Sequence, residues 1–231
     1  MPVALITGGS RGFGRALAVD LAADGWTLVI DGRDRAALQQ VADHLTGLGA
    51  RTVAIAGDVV DPGHRSALIE ATGELGPLDL LVNNAGALGP SPLPRVGDYP
   101  LDELRRVYEV NVLAPLSLLQ AALPRLRLAH GTAVTLTSDA ATEAYEGWGG
   151  YGSSKAALDQ LHRILAAEEP LVHVYLFDPG DMRTAMHQAA FPGEDISDRP
   201  EPETVVAPLR ALLASGAPSG RYRAEELLVQ P

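Results

Sequence analysis

Tyr151 and Lys155 stand four residues apart in the stretch YGSSK, and Lys155 is the only lysine among the 18 basic residues of the chain. Residues i and i+4 of an α-helix lie on one face, so we expect the phenol and the ammonium to lie close together. A neighbouring cation favours the phenolate, so Lys155 should lower the pKa of Tyr151 from its ordinary value of about 10. The pair could therefore exchange a proton with a bound molecule. A Tyr and a Lys on an exposed helix surface would show the same spacing.

Two further polar residues stand where they could join this pair. Ser138 follows a predicted strand, and open parallel sheets bind ligands at the carboxyl ends of their strands. Its hydroxyl could donate to a carbonyl oxygen, although a Ser at a strand end is also an ordinary loop hydroxyl or helix cap. Asn111 falls inside an apolar helical segment, where an amide could equally be a core residue bonded to the backbone. The predicted catalytic residues are Asn111, Ser138, Tyr151 and Lys155.

The elements that must position these residues alternate along the chain. Short runs of β-branched and apolar residues predict strands at 3–7, 26–31, 52–56, 78–82, 133–137 and 172–177. Longer runs between them predict helices at 12–24, 34–48, 62–74, 101–128 and 151–168. Asp34 is placed to cap the second helix and Gly49 to end it, whereas Pro115 and Pro124 should kink or end the helix at 101–128.

An irregular segment follows residue 180 and extends to Pro202, and a last helix is predicted at 203–215. A seventh strand is predicted near 222–228. The alternation of strands and helices predicts an α/β fold in a single domain, residues 1–231, built on a doubly wound parallel sheet. That sheet should contain six to seven strands, with helices on both faces.

The stretch TGGSRGFG, residues 7–14, lies where the first predicted strand becomes the first predicted helix. Gly8, Gly12 and Gly14 allow a tight turn and a close backbone approach, so a pyrophosphate could bind at the helix N-terminus. The spacing is GxxxGxG and differs from the GxxxxGK[ST] of phosphate-transfer loops. A glycine-rich turn without a ligand is the alternative, and the strand-to-helix context argues against it.

The end of the second predicted strand, IDGRDR, bears on which dinucleotide would bind. Asp31 stands about 20 residues beyond the glycines, where an acid often binds the ribose 2′-hydroxyl of NAD. Arg11 and Arg33 argue for a 2′-phosphate, because planar guanidinium groups match phosphate oxygens. Both arginines could instead be solvated surface charges. We therefore favour NADP(H) as the cofactor, with NAD(H) as the less favoured alternative.

Composition excludes several classes of partner. The net charge of −11 opposes the binding of nucleic acids and anionic lipids, so neither a nucleic-acid nor a membrane partner is expected. There is no cysteine, and the six histidines show no metal-binding spacing, so no metal site is expected. The apolar run at the N-terminus is stopped by two glycines and predicts neither a signal peptide nor a membrane span. A cytoplasmic protein with one packed core is the expectation.

Taken together, these motifs resemble those of the short-chain dehydrogenase/reductases over nearly the whole chain. The matching motifs are TGxxxGxG at 7–14, Asp58-Val59, NNAG at 83–86, YxxxK at 151–155 and DPG at 178–180 with Thr184. The resemblance implies a Rossmann-type fold and cofactor contacts at Gly8, Ser10, Arg11, Gly12, Phe13, Gly14, Arg33, Asp58, Val59, Asn84, Ala85, Gly86, Tyr151, Lys155, Pro179, Gly180, Met182 and Thr184.

The same resemblance implies a role for each predicted catalytic residue. Tyr151 would give a proton to a carbonyl oxygen as hydride arrives from the nicotinamide, or take it from an alcohol in reverse. Ser138 would position that oxygen. Lys155 would bind the nicotinamide ribose and lower the Tyr151 pKa, and Asn111 would hold a water that links Lys155 to solvent.

The resemblance also agrees with the preference for NADP(H). The acidic position of NAD-preferring members falls on Gly32, and Arg11 and Arg33 fall where NADP-preferring members carry basic residues. A carbonyl reductase acting on a small-molecule carbonyl or alcohol is therefore expected, with residues 182–202 as a substrate lid. Tyr145 and Trp148 could line the pocket or only pack their own loop.

The sequence leaves alternatives open for the oligomeric state and for the functional class. A homodimer and a homotetramer both fit the resemblance, although the C-terminal stretch PSGRYRAEELLVQP lacks the family's usual Gly-Gly ending. A catalytically silent NADP(H)-sensing regulatory or scaffold protein of the same fold is a second functional class. The intact Ser, Tyr, Lys and Asn set counts against this second class. An enzyme of epimerisation or dehydration is a third, which the absence of an extra C-terminal substrate domain makes the less expected.

Overall fold

The computed structural model describes residues 1–227, and a seven-stranded parallel sheet forms its centre. The strands are β1 (Val3–Ile6), β2 (Thr27–Gly32), β3 (Thr52–Ala56), β4 (Leu80–Asn83), β5 (Thr132–Leu136), β6 (His173–Asp178) and β7 (Gly220–Arg223). Their order in the sheet is β3-β2-β1-β4-β5-β6-β7. The chain reverses its direction of travel across the sheet between β1 and β4, and a crevice forms at such a point outside the carboxyl ends of the strands.

Helices connect the strands and cover the sheet. They are α1 (Gly12–Ala23), α2 (Arg35–Gly47), α3 (Pro62–Gly73), α4 (Leu101–Tyr108), α5 (Ala114–Ala129), α6 (Gly149–Glu168), α7 (Ala185–Ala190), α8 (Val206–Ser215) and α9 (Ala224–Leu227). Shorter turns are the 3-10 segments Val96–Asp98, Asp139–Ala141 and Pro202–Val205 and a π-helical turn, Glu109–Leu113. The prediction of a doubly wound α/β fold is confirmed.

Strand β1 shows why both faces of the sheet are covered. Alternate side chains of a strand point to opposite faces. Ala4 and Ile6 belong to an apolar core with α1, α2 and α8, whereas Val3 and Leu5 belong to a second core with α3 and α5. A strand that is buried on both faces has a continuous apolar sequence, which is why VALI predicted a strand.

The predicted start of the second helix is confirmed at atomic detail. The Asp34 side chain accepts hydrogen bonds from the amides of Ala36 and Ala37, both at 3.1 Å, and so caps α2. Gly49 follows the helix with a φ of +91°, a conformation that favours glycine.

The predicted helix at 101–128 is two α-helices joined by the π-helical turn Glu109–Leu113. Pro115 lies in the first turn of α5, directly after this turn, where a residue without an amide donor was expected to disturb the helix. Pro124 lies inside α5 and does not end it.

The C-terminal part of the chain differs from prediction in two places. The segment expected to be irregular up to Pro202 contains the short helix α7. The strand predicted near 222–228 begins earlier, at Gly220, and ends at Arg223, because residues 224–227 turn into α9. Leu228 lies outside the described residues. None of the helices in residues 1–227 has the length and apolar character needed to cross a membrane.

Candidate active site

The four predicted catalytic residues lie together beyond the carboxyl end of β5. Lys155, on α6, donates from Nζ to the carbonyl oxygen of Leu136 in β5 at 2.7 Å. Its Nζ atom is 5.5 Å from the centre of the Tyr151 ring, so the two groups lie on the same side of α6 as their spacing predicts. Asn111 donates from Nδ2 to the Ser154 hydroxyl, also on α6, at 2.9 Å.

Lys155 carries its amine into the interior of the protein. Its side chain is 5% exposed, and burial lowers its pKa to about 8, against the opposing effect of the carboxylates of Asp159 and Asp178. The ammonium has three hydrogen-bond donors, of which one is directed to Leu136.

The pKa of Tyr151 is shifted in the direction opposite to the prediction. Burial of the phenol raises it first, the negative charges of Asp178 and Asp139 raise it further, and the Ser138 hydroxyl only partly offsets the rise. Burial of the phenol, followed by two carboxylates contributed by other elements, therefore sets the direction of the pKa shift. The expectation that Lys155 lowers this pKa is wrong, and Tyr151 is a protonated phenol at neutral pH.

Ser138 lies in a small hydrogen-bonded cluster with Asp139. The Ser138 hydroxyl donates to Asp139 Oδ1 at 2.9 Å and accepts from the Ala140 amide at 3.2 Å. The Tyr145 hydroxyl donates to Asp139 Oδ2 at 2.9 Å. Burial raises the pKa of Asp139, but the hydrogen bonds from Ser138, Tyr145 and Ala140 outweigh burial and lower it. Asp139 is therefore a stable carboxylate next to a predicted catalytic hydroxyl, and no sequence motif pointed to it.

Both the oxygen and the nitrogen of the Asn111 side-chain amide form hydrogen bonds with protein atoms. Its Oδ1 accepts from the Ala87 amide, and its Nδ2 donates to the Ala87 carbonyl oxygen, both at 2.8 Å, in addition to the bond to Ser154. The side chain thus connects the loop after β4 with α6 across the π-helical turn. Its predicted role in holding a water stays a prediction, and main-chain atoms of the turn would have to hold that water.

A buried ionic cluster supports the site from β7. Arg221 donates from Nη2 to Asp178 Oδ2 at 2.8 Å and to the Ser138 carbonyl oxygen at 3.0 Å, and its Nε is 3.3 Å from Asp159 Oδ2. Asp159 and Asp178 are 3% and 2% exposed, and burial raises the pKa of each, opposed in part by Arg221. One guanidinium therefore joins β5, β6 and α6. No sequence motif pointed to Arg221, which is 83 residues from Ser138.

The glycine-rich turn between β1 and α1 is braced by the loop after β4. Asn84 Nδ2 donates to the carbonyl oxygens of Thr7 at 2.7 Å and Gly8 at 3.1 Å. A Cβ atom at Gly14 would lie 2.5 Å from Asn84 Nδ2 and from the Gly8 carbonyl oxygen, and Gly8 has a φ of +68°. Only glycine fits at these positions, and the first turn of α1 has no side-chain cap. The turn therefore fits a pyrophosphate at its exposed amides.

Asp31 lies beneath this turn and is 1% exposed. Its Oδ1 accepts from the Gly8 amide at 2.6 Å, and its Oδ2 is 2.9 Å from His64 Nε2. Because both oxygens are engaged inside the protein, Asp31 cannot be the acid that binds a ribose hydroxyl. Arg11 and Arg33 are both exposed, on the turn and directly after β2.

Phe13 is one of the predicted cofactor contacts. Its side chain is buried in the core and stacks against Phe177 with ring centres 6.0 Å apart. Only its backbone can face a nucleotide. The Ser10 side chain packs beside β2, where a Cβ at Gly32 would be 2.8 Å from the Ser10 hydroxyl oxygen.

The remaining predicted cofactor contacts lie on loops at the carboxyl ends of neighbouring strands. They are Asp58 and Val59 after β3, Asn84, Ala85 and Gly86 after β4, and Pro179, Gly180, Met182 and Thr184 after β6. Thr184 faces the glycine-rich turn, since its methyl carbon would be 3.6 Å from a Cβ at Gly12. Its hydroxyl accepts from the His187 amide at 3.2 Å and caps α7. Met182 is half-buried and packs against the core.

Helix α7 and an aromatic row lie beside Tyr151. We define the aromatic row as Tyr145, Trp148 and Phe191. Trp148 is 5.7 Å from the Tyr151 ring, 6.4 Å from Tyr145 and 6.1 Å from Phe191, measured between ring centres. Ser91 donates to the Ala189 carbonyl oxygen at 2.7 Å and so holds α7 against the loop after β4.

The glycine-rich turn, together with Ser138, Tyr151 and Lys155, is typical of a nicotinamide-dependent oxidoreductase. Comparison with known proteins identifies the family. A family model described as short chain dehydrogenase matches residues 2–195. The chain belongs to this family of oxidoreductases.

Relatives and solved structures agree with this assignment. Sepiapterin reductase from Rattus norvegicus is 34% identical over 201 residues, 81% of this chain and 77% of that protein. The 7alpha-hydroxysteroid dehydrogenase of Escherichia coli is 35% identical over 185 residues, 78% of this chain and 71% of that protein. The alcohol dehydrogenase of the archaeon Thermococcus sibiricus, solved with 5-hydroxy-NADP, superposes with a TM-score of 0.87 and 29% identity, over 96% of this chain and 95% of that one. A short chain dehydrogenase of Shigella flexneri, solved with NADP, superposes with a TM-score of 0.89 and 29% identity, over 97% of each chain.

Proposed function

We propose that this protein is an NADP(H)-dependent oxidoreductase that transfers a hydride between the nicotinamide and a carbonyl or secondary alcohol, with Tyr151 as general acid and base. The observation that carries the proposal is the position of Tyr151, Ser138 and Lys155 at one strand end, beside a glycine-rich turn that fits a pyrophosphate. A protein that only sensed the cofactor would need the turn but would have no use for these three side chains.

The cofactor, when bound, supplies or accepts the hydride, and the protein holds it and handles the proton. The amides at the start of α1 bind the pyrophosphate. Arg11 and Arg33 bind the 2′-phosphate, since both are exposed where the turn and β2 end. Lys155 directs one donor to Leu136, which leaves donors for a ribose hydroxyl.

The protonation state of Tyr151 supports carbonyl reduction as the productive direction at neutral pH. A phenol whose pKa lies above 10 keeps its proton and can donate it to a carbonyl oxygen as the hydride arrives. Oxidation of an alcohol requires the phenolate, which burial, Asp178 and Asp139 disfavour. Ser138 positions the same carbonyl oxygen by donating a hydrogen bond to it, for which its hydroxyl must turn away from Asp139 Oδ1.

Two observations support NADP(H) over NAD(H). Asp31 is buried beneath the turn and cannot bind a ribose hydroxyl, and the two arginines are exposed where a 2′-phosphate would lie. Two structural neighbours were solved with NADP or an NADP derivative.

Initial rates with a panel of ketones and aldehydes, measured with NADPH and with NADH, test this proposal. We expect kcat/KM to be at least about tenfold higher with NADPH, because a charge-assisted hydrogen bond contributes roughly 1.5–3 kcal/mol. Arg33→Gln should remove most of that preference. Arg51→Gln is the matched control, because Arg51 is exposed at the opposite, amino end of β3. Equal use of NADH by the wild type would contradict the preference, and binding of NADPH without turnover on any carbonyl would favour a sensor.

A further inference from the structure

Asp139 places a carboxylate beside the predicted reaction centre, and the proton transfer proposed above does not use it. We propose that Asp139 determines substrate specificity: its fixed negative charge makes the pocket select neutral or cationic carbonyl compounds and reject those with a carboxylate next to the reacting carbonyl. This inference rests on the proposed function and names the substrate class for the same site.

Both carboxylate oxygens of Asp139 accept hydrogen bonds from protein donors. Oδ1 accepts from the Ser138 hydroxyl at 2.9 Å and from the Ala140 amide at 2.8 Å, and Oδ2 accepts from the Tyr145 hydroxyl at 2.9 Å. All three donors are neutral, so they fix the carboxylate without cancelling its charge. Asp139 is also half-buried rather than fully enclosed, and Tyr145 of the aromatic row bonds to it.

No guanidinium close to the site neutralises Asp139 among residues 1–227. Arg223 acts on it only at a distance, as the weakest influence on its ionisation, and its guanidinium pairs with Glu225 at 3.0 Å. Arg221 is engaged by Asp178 and Asp159. The Lys155 ammonium near Tyr151 bonds to Leu136 and, in the proposed function, to a ribose hydroxyl, so an anionic substrate would still meet the negative charge of Asp139.

The charge lies close to the reacting atoms because Ser138 connects them. Ser138 and Tyr151 are the residues that would hold the carbonyl oxygen, and the Ser138 hydroxyl bonds directly to Asp139. The field of Asp139 also reaches the Tyr151 phenol, whose pKa it helps to raise. Two like charges about 6 Å apart, at an effective dielectric constant of about 20, repel enough to lower a rate roughly a hundredfold.

A matched pair of aryl ketones separates charge from shape. Methyl phenylglyoxylate and phenylglyoxylate share the aromatic ketone and differ in an ester against a carboxylate, and an aryl group suits the aromatic row. The ester is intrinsically the more reactive, so the diagnostic quantity is the change in the ester-to-acid ratio of kcat/KM between variants. Asp139→Asn removes the charge and keeps an oxygen that can accept from Ser138.

With NADPH as reductant, we expect Asp139→Asn to lower the ester-to-acid ratio of kcat/KM at least about tenfold, mainly through faster reduction of the acid. Glu143→Gln is the matched control, because Glu143 is an exposed acid on the same loop with no bond to Ser138. Its ratio should stay within about twofold of the wild type. An unchanged ratio in Asp139→Asn would overturn the role of Asp139 while leaving the proposed function intact.

A measurement on the wild type alone guards against a variant that does not fold. Phenylglyoxylate, added to the reaction with the methyl ester, should inhibit weakly, with an inhibition constant at least about tenfold above the KM of the ester. An inhibition constant equal to that KM would overturn the inference. A wild type that reduces other carbonyls of the panel but neither compound would overturn this inference alone, and one that reduces no carbonyl at all would overturn the proposed function as well.

Discussion

Lys155 is a buried cation whose charge opposes folding at neutral pH. Its amine is 5% exposed, and burial lowers its pKa to about 8 despite the nearby carboxylates of Asp159 and Asp178. In the unfolded chain the same amine is fully hydrated and more basic. The protein therefore keeps an unfavourable charge close to the Tyr151 ring, where the proposed function has Lys155 bind a ribose hydroxyl.

This arrangement predicts a pH dependence of stability with a definite sign. The pKa is about 8 in the folded protein and 10.5 ordinarily, so between these values the unfolded chain binds more protons. The destabilisation caused by the Lys155 charge is therefore complete below pH 8. It decreases as the pH rises from 8 toward 10.5. Relative to Lys155→Met, the wild type should gain up to about 3 kcal/mol in the free energy of unfolding over that range.

Urea unfolding of both proteins between pH 7 and pH 10, with no nucleotide added, measures this difference. Other titrating groups cancel between the two proteins. A difference that stays constant with pH would show that Lys155 does not titrate in this window.

At the scale of elements, strand β7 completes the site from the far end of the chain. Arg221 bonds to Asp178 at the end of β6, to the Ser138 carbonyl after β5 and to Asp159 on α6. Asp178 in turn accepts from the Gly180 amide at 3.1 Å and so shapes the turn predicted to contact the nicotinamide. The packing of three elements around the site thus depends on one guanidinium.

Loss of Arg221 should destabilise the protein because two buried carboxylates would lose their main partner. We expect Arg221→Met to lower the free energy of unfolding by about 3 kcal/mol at pH 7.5, as for other broken buried ion pairs. Burial already raises the pKa of Asp159 and Asp178, so the loss should shrink as the pH falls toward 5 and the carboxyls take up protons.

Urea unfolding at both pH values checks this, with Arg223→Gln as the control. Arg223 is 42% exposed and 3.8 Å from Asp178, so its replacement should cost less than about 1 kcal/mol. Equal effects of the two substitutions would refute the role given to Arg221.

At the scale of the whole molecule, elements with a local sequence signal were predictable. Strand β1 is an apolar run because both of its faces are buried, and the Asp34 cap is a signal confined to a few residues. Pro115 predicted a break in the helix near the π-helical turn, but the contacts of Asn111 with Ala87 and Ser154 that hold this turn have no local signal. Helix α7 has a local cap at Thr184, but the bond between Ser91 and Ala189, which are 98 residues apart, has none.

In the site, too, features with a local sequence signal were predictable, and contacts between distant elements were not. The glycine-rich turn and the proximity of Tyr151 to Lys155 are local patterns, and the structure confirms both. The direction of the Tyr151 pKa shift was predicted wrongly because the fold buries the phenol and brings Asp178 and Asp139 to it from other elements. Whether the protein forms a homodimer or a homotetramer stays a prediction.

Single-turnover reduction by wild type and Tyr151→Phe tests the central claim most directly. Each protein is loaded with NADPH and mixed with the carbonyl that reacts fastest in the panel, and the loss of reduced nicotinamide is followed. Tyr222→Phe is the control, since its hydroxyl bonds to the Pro218 carbonyl away from the site. We predict that Tyr151→Phe binds NADPH as the wild type does but transfers hydride at least about 100-fold more slowly. Near-normal hydride transfer in Tyr151→Phe would contradict the account.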